Sequence, residues 1–222
     1  MTIELRIESA DLTDITATLS LSPVIPEITI QRETDAVPLA EALQAGGIPV
    51  IEVALGTSAA LGAIEDIRKD CPDMCVGAGA AWSAERALQA ASAGAEFIAS
   101  PGVADAVQDV ARSLRLPYLS GAQTPSELAH LARRGLKAAK LFPAGPAGGP
   151  AAVSMLSAVF PDFVFCPTGG VSATTAPGYL KLACVPCVAG SWLATGPLLA
   201  ARNWNAIRRL AERAAQLANY KP

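Results

Sequence analysis

Short apolar runs alternate along this chain with stretches whose apolar positions recur three or four residues apart. The pair repeats about every 20–25 residues. The apolar runs predict buried strands at Pro23–Ile30, Pro49–Leu55, Met74–Gly79, Phe97–Ser100, Pro117–Ser120, Ala138–Phe142, Phe163–Pro167 and Cys184–Ala189. The intervening stretches predict amphipathic helices with physical start and stop signals. Thr124-Pro125-Ser126-Glu127 reads as a capping box with proline at the first helical position, and Gly135 closes that helix. In the first long helix Ala36, Leu39, Ala40 and Leu43 share a face, and Gly46 is the expected left-handed stop. The last helix is expected to bury Ile207, Leu210, Ala211, Ala214 and Leu217, and residues 1–22 to form a leading helix or arm.

Eight strands alternating with helices leave two main solutions, a closed barrel or an open doubly wound sheet. The dinucleotide fingerprint of the open sheet is missing, because Gly77–Trp82 (GAGAAW) has only its first two glycines. The expectation is therefore an α/β chain of one domain over residues 1–222, a (β/α)₈ TIM barrel. In such a barrel, chemistry sits where strands end and loops begin. The segments to search are Glu52–Thr57, Gly77–Ala80, Pro101–Gly102, Gly121–Thr124, Lys140–Gly145, Thr168–Gly170 and Gly190–Ser191.

Composition narrows the class without naming a reaction. A net charge of −3 with no basic stripe argues against nucleic-acid and membrane-surface partners. The start has no secretory pattern and no apolar run reaches the length of a membrane span. Five cysteines, an odd number, suit reduced thiols in a cytoplasmic chain; Cys184 and Cys187, in a predicted strand, would face opposite sides. The only histidine, His130, lies on a helix away from the strand ends, so neither a His-rich metal site nor a His-based triad is expected. No metal or cofactor is implied.

Lysine carries the chemistry. Of the five, Lys69, Lys137, Lys181 and Lys221 have solvent-facing settings, whereas Lys140 interrupts an apolar strand with the parity of Ala138 and Phe142. Burial penalises a cation, and a lysine brought down to roughly pKa 7–8 offers the neutral amine that attacks a ketone. The plain alternative is a structural lysine paired with a carboxylate. Glu52 interrupts its own apolar strand and is the candidate partner, as a proton shuttle or as a tie between strands. Glu27 shares parity with Thr29; it is either an auxiliary acid or, the reading preferred here, part of a hydrogen-bond network near the helix layer. Thr168-Gly169-Gly170 and Gly190-Ser191 place glycines after the seventh and eighth strands, next to potential helix starts. That is where barrels often hold a phosphate.

These segments resemble one family. IEVALGT around Glu52, VGAG at Val76–Gly79, SPG at Ser100–Gly102, TPSEL at Thr124–Leu128, KLFPA at Lys140–Ala144, FCPTGG at Phe165–Gly170 and GSW at Gly190–Trp192 are similar to the KDPG/KHG aldolases, in order from about Pro23 onward. The resemblance implies a metal-free, homotrimeric barrel that reversibly cleaves 2-keto-3-deoxy-6-phosphogluconate to pyruvate and glyceraldehyde 3-phosphate. It puts Lys140 at the Schiff base, Glu52 at the general acid/base, Thr168 at the pyruvyl site, Gly169, Gly170, Gly190 and Ser191 at the phosphate, and Pro101 among the substrate-binding positions. The chain also departs from the family pattern. Gly56 stands where an arginine holds the substrate carboxylate, Ala80 where a threonine is usual, and Gly145 where a glutamate is frequent. Ser120–Thr124 differs as well, and Glu27 replaces an apolar residue. Losing the arginine contact removes an interaction worth roughly 1.5–3 kcal/mol. The small residues Gly56, Ala80 and Gly145 are expected to widen the pocket. The expectation is retained covalent machinery with retuned recognition; the alternatives are a catalytically silent barrel serving as scaffold or phosphate binder, and a lyase or decarboxylase using the same iminium.

Overall fold

A computed structural model describes residues 14–222. Eight parallel strands, β1 (Val24–Ile28), β2 (Val50–Ala54), β3 (Cys75–Gly79), β4 (Phe97–Ala99), β5 (Tyr118–Ala122), β6 (Ala138–Leu141), β7 (Val164–Pro167) and β8 (Val188–Gly190), lie in the order β7-β6-β5-β4-β3-β2-β1-β8. Sequential neighbours pair throughout, and β8 returns to β1 through Val24–Val188, Ile25–Ala189 and Pro26–Gly190. The remaining gap is bridged where Thr168, just past β7, pairs with Ala189 of β8. The barrel is nearly closed.

Around it, helix α1 (Thr16–Ser20) precedes β1, followed by α2 (Ala36–Ala45), α3 (Ala60–Asp70), α4 (Ala84–Ser92), α5 (Asp105–Leu114), α6 (Pro125–Arg133), α7 (Gly149–Val159), α8 (Ala176–Leu180), α9 (Gly196–Ala200) and α10 (Trp204–Ala215). None of these is long and apolar enough to cross a membrane. The leading helix expected within residues 1–22 is α1; the rest of that call, residues 1–13, lies outside the described residues. At α6 the capping box forms as its residue types dictate. Thr124 Oγ1 accepts from the Glu127 N–H at 3.3 Å, and Glu127 Oε2 accepts from the Thr124 N–H at 2.8 Å.

Three local expectations are corrected. The left-handed stop of α2 is Gly47 (φ 84°), not Gly46, which has φ −87°. Gly46 is small because α10 crosses there: a Cβ would strike the Ala211 side chain and the Arg208 carbonyl. The last strand begins at Val188, so Cys184 lies in the preceding turn and the two cysteines are not strand residues. All five cysteines are free, and Cys187 Sγ lies 3.7 Å from Cys166 Sγ. At the end of α10, Leu217 falls in a following 3₁₀ turn and only Ile207, Ala211 and Ala214 are buried.

Inside the barrel, glycines in β3 make room for larger neighbours. Gly77 pairs with Phe97, whose ring fills the space that a Cβ would occupy. Gly79, two residues on, leaves the equivalent space to Glu52. The interior is thus packed by an aromatic ring on one side and a carboxylate on the other.

Candidate active site

Lys140 rises from β6 and Glu52 from β2, and they meet inside the barrel. Lys140 Nζ donates to Glu52 Oε1 at 2.5 Å. The lysine is 3% exposed and the glutamate 0%, so this pair has little solvent screening. Glu52 Oε2 is also buried and has no hydrogen-bond partner among the described residues. A buried carboxylate oxygen without a donor is costly, and it is free to accept a proton from a reacting group.

Glu27 joins them. Its Cα is in register with that of Glu52 across β1 and β2, which aims both side chains at the same amine. Glu27 Oε2 accepts from Lys140 Nζ at 3.4 Å, while its side chain stays 29% exposed. The preferred placement of Glu27 near the helix layer is therefore wrong; the period-two alternation of β1 turns it inward.

Glu52 and Glu27 together also overturn the expected low lysine pKa. Burial pulls the ammonium down, but Glu52 and then Glu27 more than reverse that, and Lys140 ends above its ordinary 10.5. Glu52 is pushed above 4.5, chiefly by burial, against the attraction of Lys140 and with help from Glu27. Both members of the pair hold protons more tightly than usual. The ammonium thus has beside it an acceptor of raised basicity, and a short transfer along the 2.5 Å contact yields a neutral amine and a neutral acid in a dry site.

Strand-end loops surround this cluster. Gly121 is in register with Lys140, and a Cβ on it would run into the backbone of Pro101, so the loop after β4 lies directly against β5. Ser100 Oγ holds that loop by donating to the Gly102 carbonyl at 2.7 Å. Thr168 is buried, its hydroxyl donating to the Cys166 carbonyl at 3.2 Å. The loops after β6 and β7 are joined by Ala144 N–H to the Thr168 carbonyl at 2.7 Å and Gly145 N–H to the Gly169 carbonyl at 2.9 Å. Gly169 and Gly170 take left-handed conformations (φ 81° and 75°) that side chains disfavour. Neither glycine loop runs straight into a helix as expected: α8 starts at Ala176 and α9 at Gly196.

The family profile described as KDPG and KHG aldolase matches residues 15–210, which include the whole barrel and all these loops. The chain belongs to the KDPG and KHG aldolase family. It is 38% identical over 193 residues to the 2-dehydro-3-deoxy-phosphogluconate aldolase of Pseudomonas aeruginosa, covering 87% of this chain and 88% of that one. It is 38% identical over 198 residues to the KHG/KDPG aldolase of Escherichia coli K12, covering 89% and 93%. Among solved structures it is similar to the KDPG aldolase of Legionella pneumophila with pyruvate captured at low pH as a covalent carbinolamine intermediate. That likeness has a TM-score of 0.89 and 38% identity, over 91% of this chain and 98% of that one.

In this KDPG/KHG aldolase Gly56, Gly145 and Ala80 have different surroundings. A Cβ on Gly56 meets nothing within 4 Å, so that position opens onto free space. Gly145 does the reverse of what was expected: a Cβ there would press on Gly170 and Gly169 backbone atoms at 3.1–3.3 Å, so the neighbouring loop has closed over it. Ala80, just after β3, has a left-handed conformation (φ 55°), which costs a residue with a Cβ about 1–2 kcal/mol. Two arginines at the mouth were missed by sequence reasoning. Arg32, four residues beyond β1, shares with Ser191 a cavity of about 370 Å³ and is paired with Asp35 at 2.8 Å. Arg86, in the first turn of α4, donates to the Leu55 carbonyl and stacks over the Trp82 ring at 5.0 Å. Their signal was a basic residue just after a strand, or just inside the helix that follows one. A larger cavity of about 440 Å³ lies at the opposite end, by Tyr118, Ala138 and Val164 where β5, β6 and β7 begin, away from the lysine.

Gly79 offers a direct test of how rigidly Glu52 is held. Gly79→Ala puts a methyl group into Glu52 Oε1, and overpacking of this kind should lower stability by about 1–3 kcal/mol and reduce turnover together. Urea unfolding and steady-state rates measure both; unchanged values would mean that the carboxylate moves aside freely.

Proposed function

We infer that this class I aldolase uses Lys140 as its Schiff-base nucleophile and Glu52 as its proton carrier. The reaction is the reversible cleavage of a substrate resembling 2-keto-3-deoxy-6-phosphogluconate, with recognition at the mouth retuned. The observation that carries the reading is the buried Lys140–Glu52 contact at 2.5 Å, with the second Glu52 oxygen unpartnered.

The steps follow from that geometry. Lys140 passes a proton to Glu52, and the neutral amine adds to the ketone carbon of the substrate. Protonation of the resulting hydroxyl by Glu52 lets water leave and forms the iminium. The iminium draws electrons from the bond between the α carbon and the hydroxyl-bearing β carbon as a carboxylate removes the proton of that hydroxyl. That bond breaks, releasing the aldehyde and leaving an enamine on Lys140. Protonation of the enamine carbon and hydrolysis of the iminium by water return the free lysine and the keto product. One buried acid/base beside the amine serves each transfer in turn.

The aldehyde's phosphate is assigned to Gly169, Gly170, Gly190 and Ser191, with Arg32 lending positive charge from the same cavity as Ser191. Thr168, Pro101, Gly56 and Ala80 border the keto end. Gly56 gives the keto donor's carboxylate no guanidinium, which is the basis for retuned recognition. The proposed working form is a homotrimer in the cytoplasm.

The test is covalent trapping. Incubation with a panel of carbonyl donors including pyruvate, followed by borohydride reduction, should leave the donor, less its carbonyl oxygen, as a secondary amine on the peptide carrying Lys140. No adduct with any donor would overturn the assignment and leave a phosphate-binding scaffold as the reading.

A further inference from the structure

We propose that Arg86 is a specificity-determining residue: its guanidinium, carried by α4 to the end of β2, takes the carboxylate that a keto acid bears beside its ketone. This inference rests on the Schiff-base reading of Lys140 and deepens it by naming the cation that recognises the donor.

The first observation is an uncompensated charge. Among the described residues only two arginines are not solvent-exposed, Arg86 and Arg134. Arg134 is paired with Asp105 and Asp109. Arg86 forms no ion pair among the described residues. Its Nη1 donates to the Leu55 carbonyl and its guanidinium lies 5.0 Å from the Trp82 ring centroid, and neither neighbour carries a charge. Partial burial of a guanidinium without an anion is costly, and a carboxylate entering beside it relieves that cost.

The second observation is place. Leu55 directly follows β2, the strand of Glu52, with only Val53 and Ala54 between them. Its N–H donates to the carbonyl of Gly79 at 3.0 Å, and Gly79 is the glycine that leaves room for the Glu52 side chain. Beside this anchor Gly56 opens onto free space, since a Cβ there meets nothing within 4 Å. A ketone attacked by Lys140 sits against Glu52, which holds the amine at 2.5 Å. Its neighbouring carboxylate is repelled by Glu27, which approaches the amine from β1 at 3.4 Å. The way out is across β2 toward β3, where α4 begins and Arg86 stands.

The third observation is the state of the guanidinium itself. One nitrogen is anchored and one face is covered by Trp82, which fixes the plane, while Nε and Nη2 have no acceptor among the described residues. A planar fork with free donors suits a carboxylate better than a point charge does. Recognition is retuned, in this reading, by a cation that comes from the helix after β3 instead of from the position of Gly56.

The experiment is competitive trapping. The full chain is offered a fixed mixture of pyruvate and acetone, which differ in the carboxylate; the imines are reduced with borohydride, and the two adducts on the Lys140 peptide are counted by mass. The adduct ratio cancels differences in folded fraction and in the amine's own reactivity. Arg86→Gln should shift the ratio toward acetone by about 10–100-fold, the worth of a charge-assisted hydrogen bond. Arg86→Met, whose apolar stem keeps the packing on Trp82, should give the same shift. Arg86→Lys, which keeps the charge without the fork, should fall between these variants and the wild type. A shift below about tenfold in either neutral variant overturns the proposal while leaving Lys140 as the nucleophile, and Arg86 then only braces the Leu55 carbonyl. No adduct from either donor in the wild-type chain removes the Schiff-base reading itself, and this inference with it.

Discussion

Lys140→Met is expected to lower carbon–carbon cleavage by about 10⁴-fold or more and to abolish borohydride trapping, because losing the nucleophile removes the covalent route altogether. The same change should weaken the fold in a pH-dependent way. Glu52 then keeps the two influences that raise its pKa, burial and Glu27, and loses the one that opposes them, Lys140. Its folded value rises further above the 4.5 of the free group. Below about 4.5 the acid is protonated in both folded and unfolded chains and no penalty arises; as pH climbs from there toward the raised folded value, the penalty grows. Breaking a buried pair costs about 3–5 kcal/mol when the remaining charge stays ionised, which is the upper bound here because Glu52 can take up a proton. Urea midpoints at acidic and neutral pH measure the stability effect, and coupled release of the keto acid measures the rate. Cleavage at the original speed would remove Lys140 from the mechanism.

Glu52→Gln separates proton carrier from strand tie. The glutamine has the same shape and still fits against Gly79, so the barrel should stay closed. Turnover should nevertheless fall by about 10²–10⁴-fold, the usual contribution of a positioned acid/base. Imine trapping should persist, because Lys140 remains. Glu52 is the stronger of the two carboxylates that raise the lysine, so its neutralisation lets burial pull the amine down, and the pH at which trapping sets in should move lower. Unchanged turnover with unchanged trapping would make Glu52 a structural ion-pair partner only.

The two residues at the centre were legible for one physical reason. A charged side chain in an otherwise apolar strand is expensive, so Lys140 and Glu52 declared themselves by being out of place. Glu27 broke the same rule in β1 but was assigned outward, because strand parity alone does not say which face of β1 is the barrel interior. The register of β1 with β2, Glu27 opposite Glu52, decided it. The lysine pKa was misjudged by the same omission. Burial alone lowers the amine, whereas the buried contact to Glu52, with Glu27 brought beside it by the register, raises it. Gly145 differs in kind: a missing side chain does not by itself make space, because the loop at Gly169 and Gly170 fills it.

By itself the chain's pattern determined the eight strands, their alternation with helices, and the lysine and glutamate that stand out in two of them. Those follow from period, glycine and proline placement, and the cost of burying charge, all of which are local. Only the tertiary structure decided what surrounds the amine and its mouth: a second carboxylate from β1 on the amine itself, Arg32 and Arg86 near the strand ends, and a space left open at Gly56 but filled at Gly145. These depend on register and on the packing of segments far apart in sequence, where a shift of one residue would point each side chain to the opposite face.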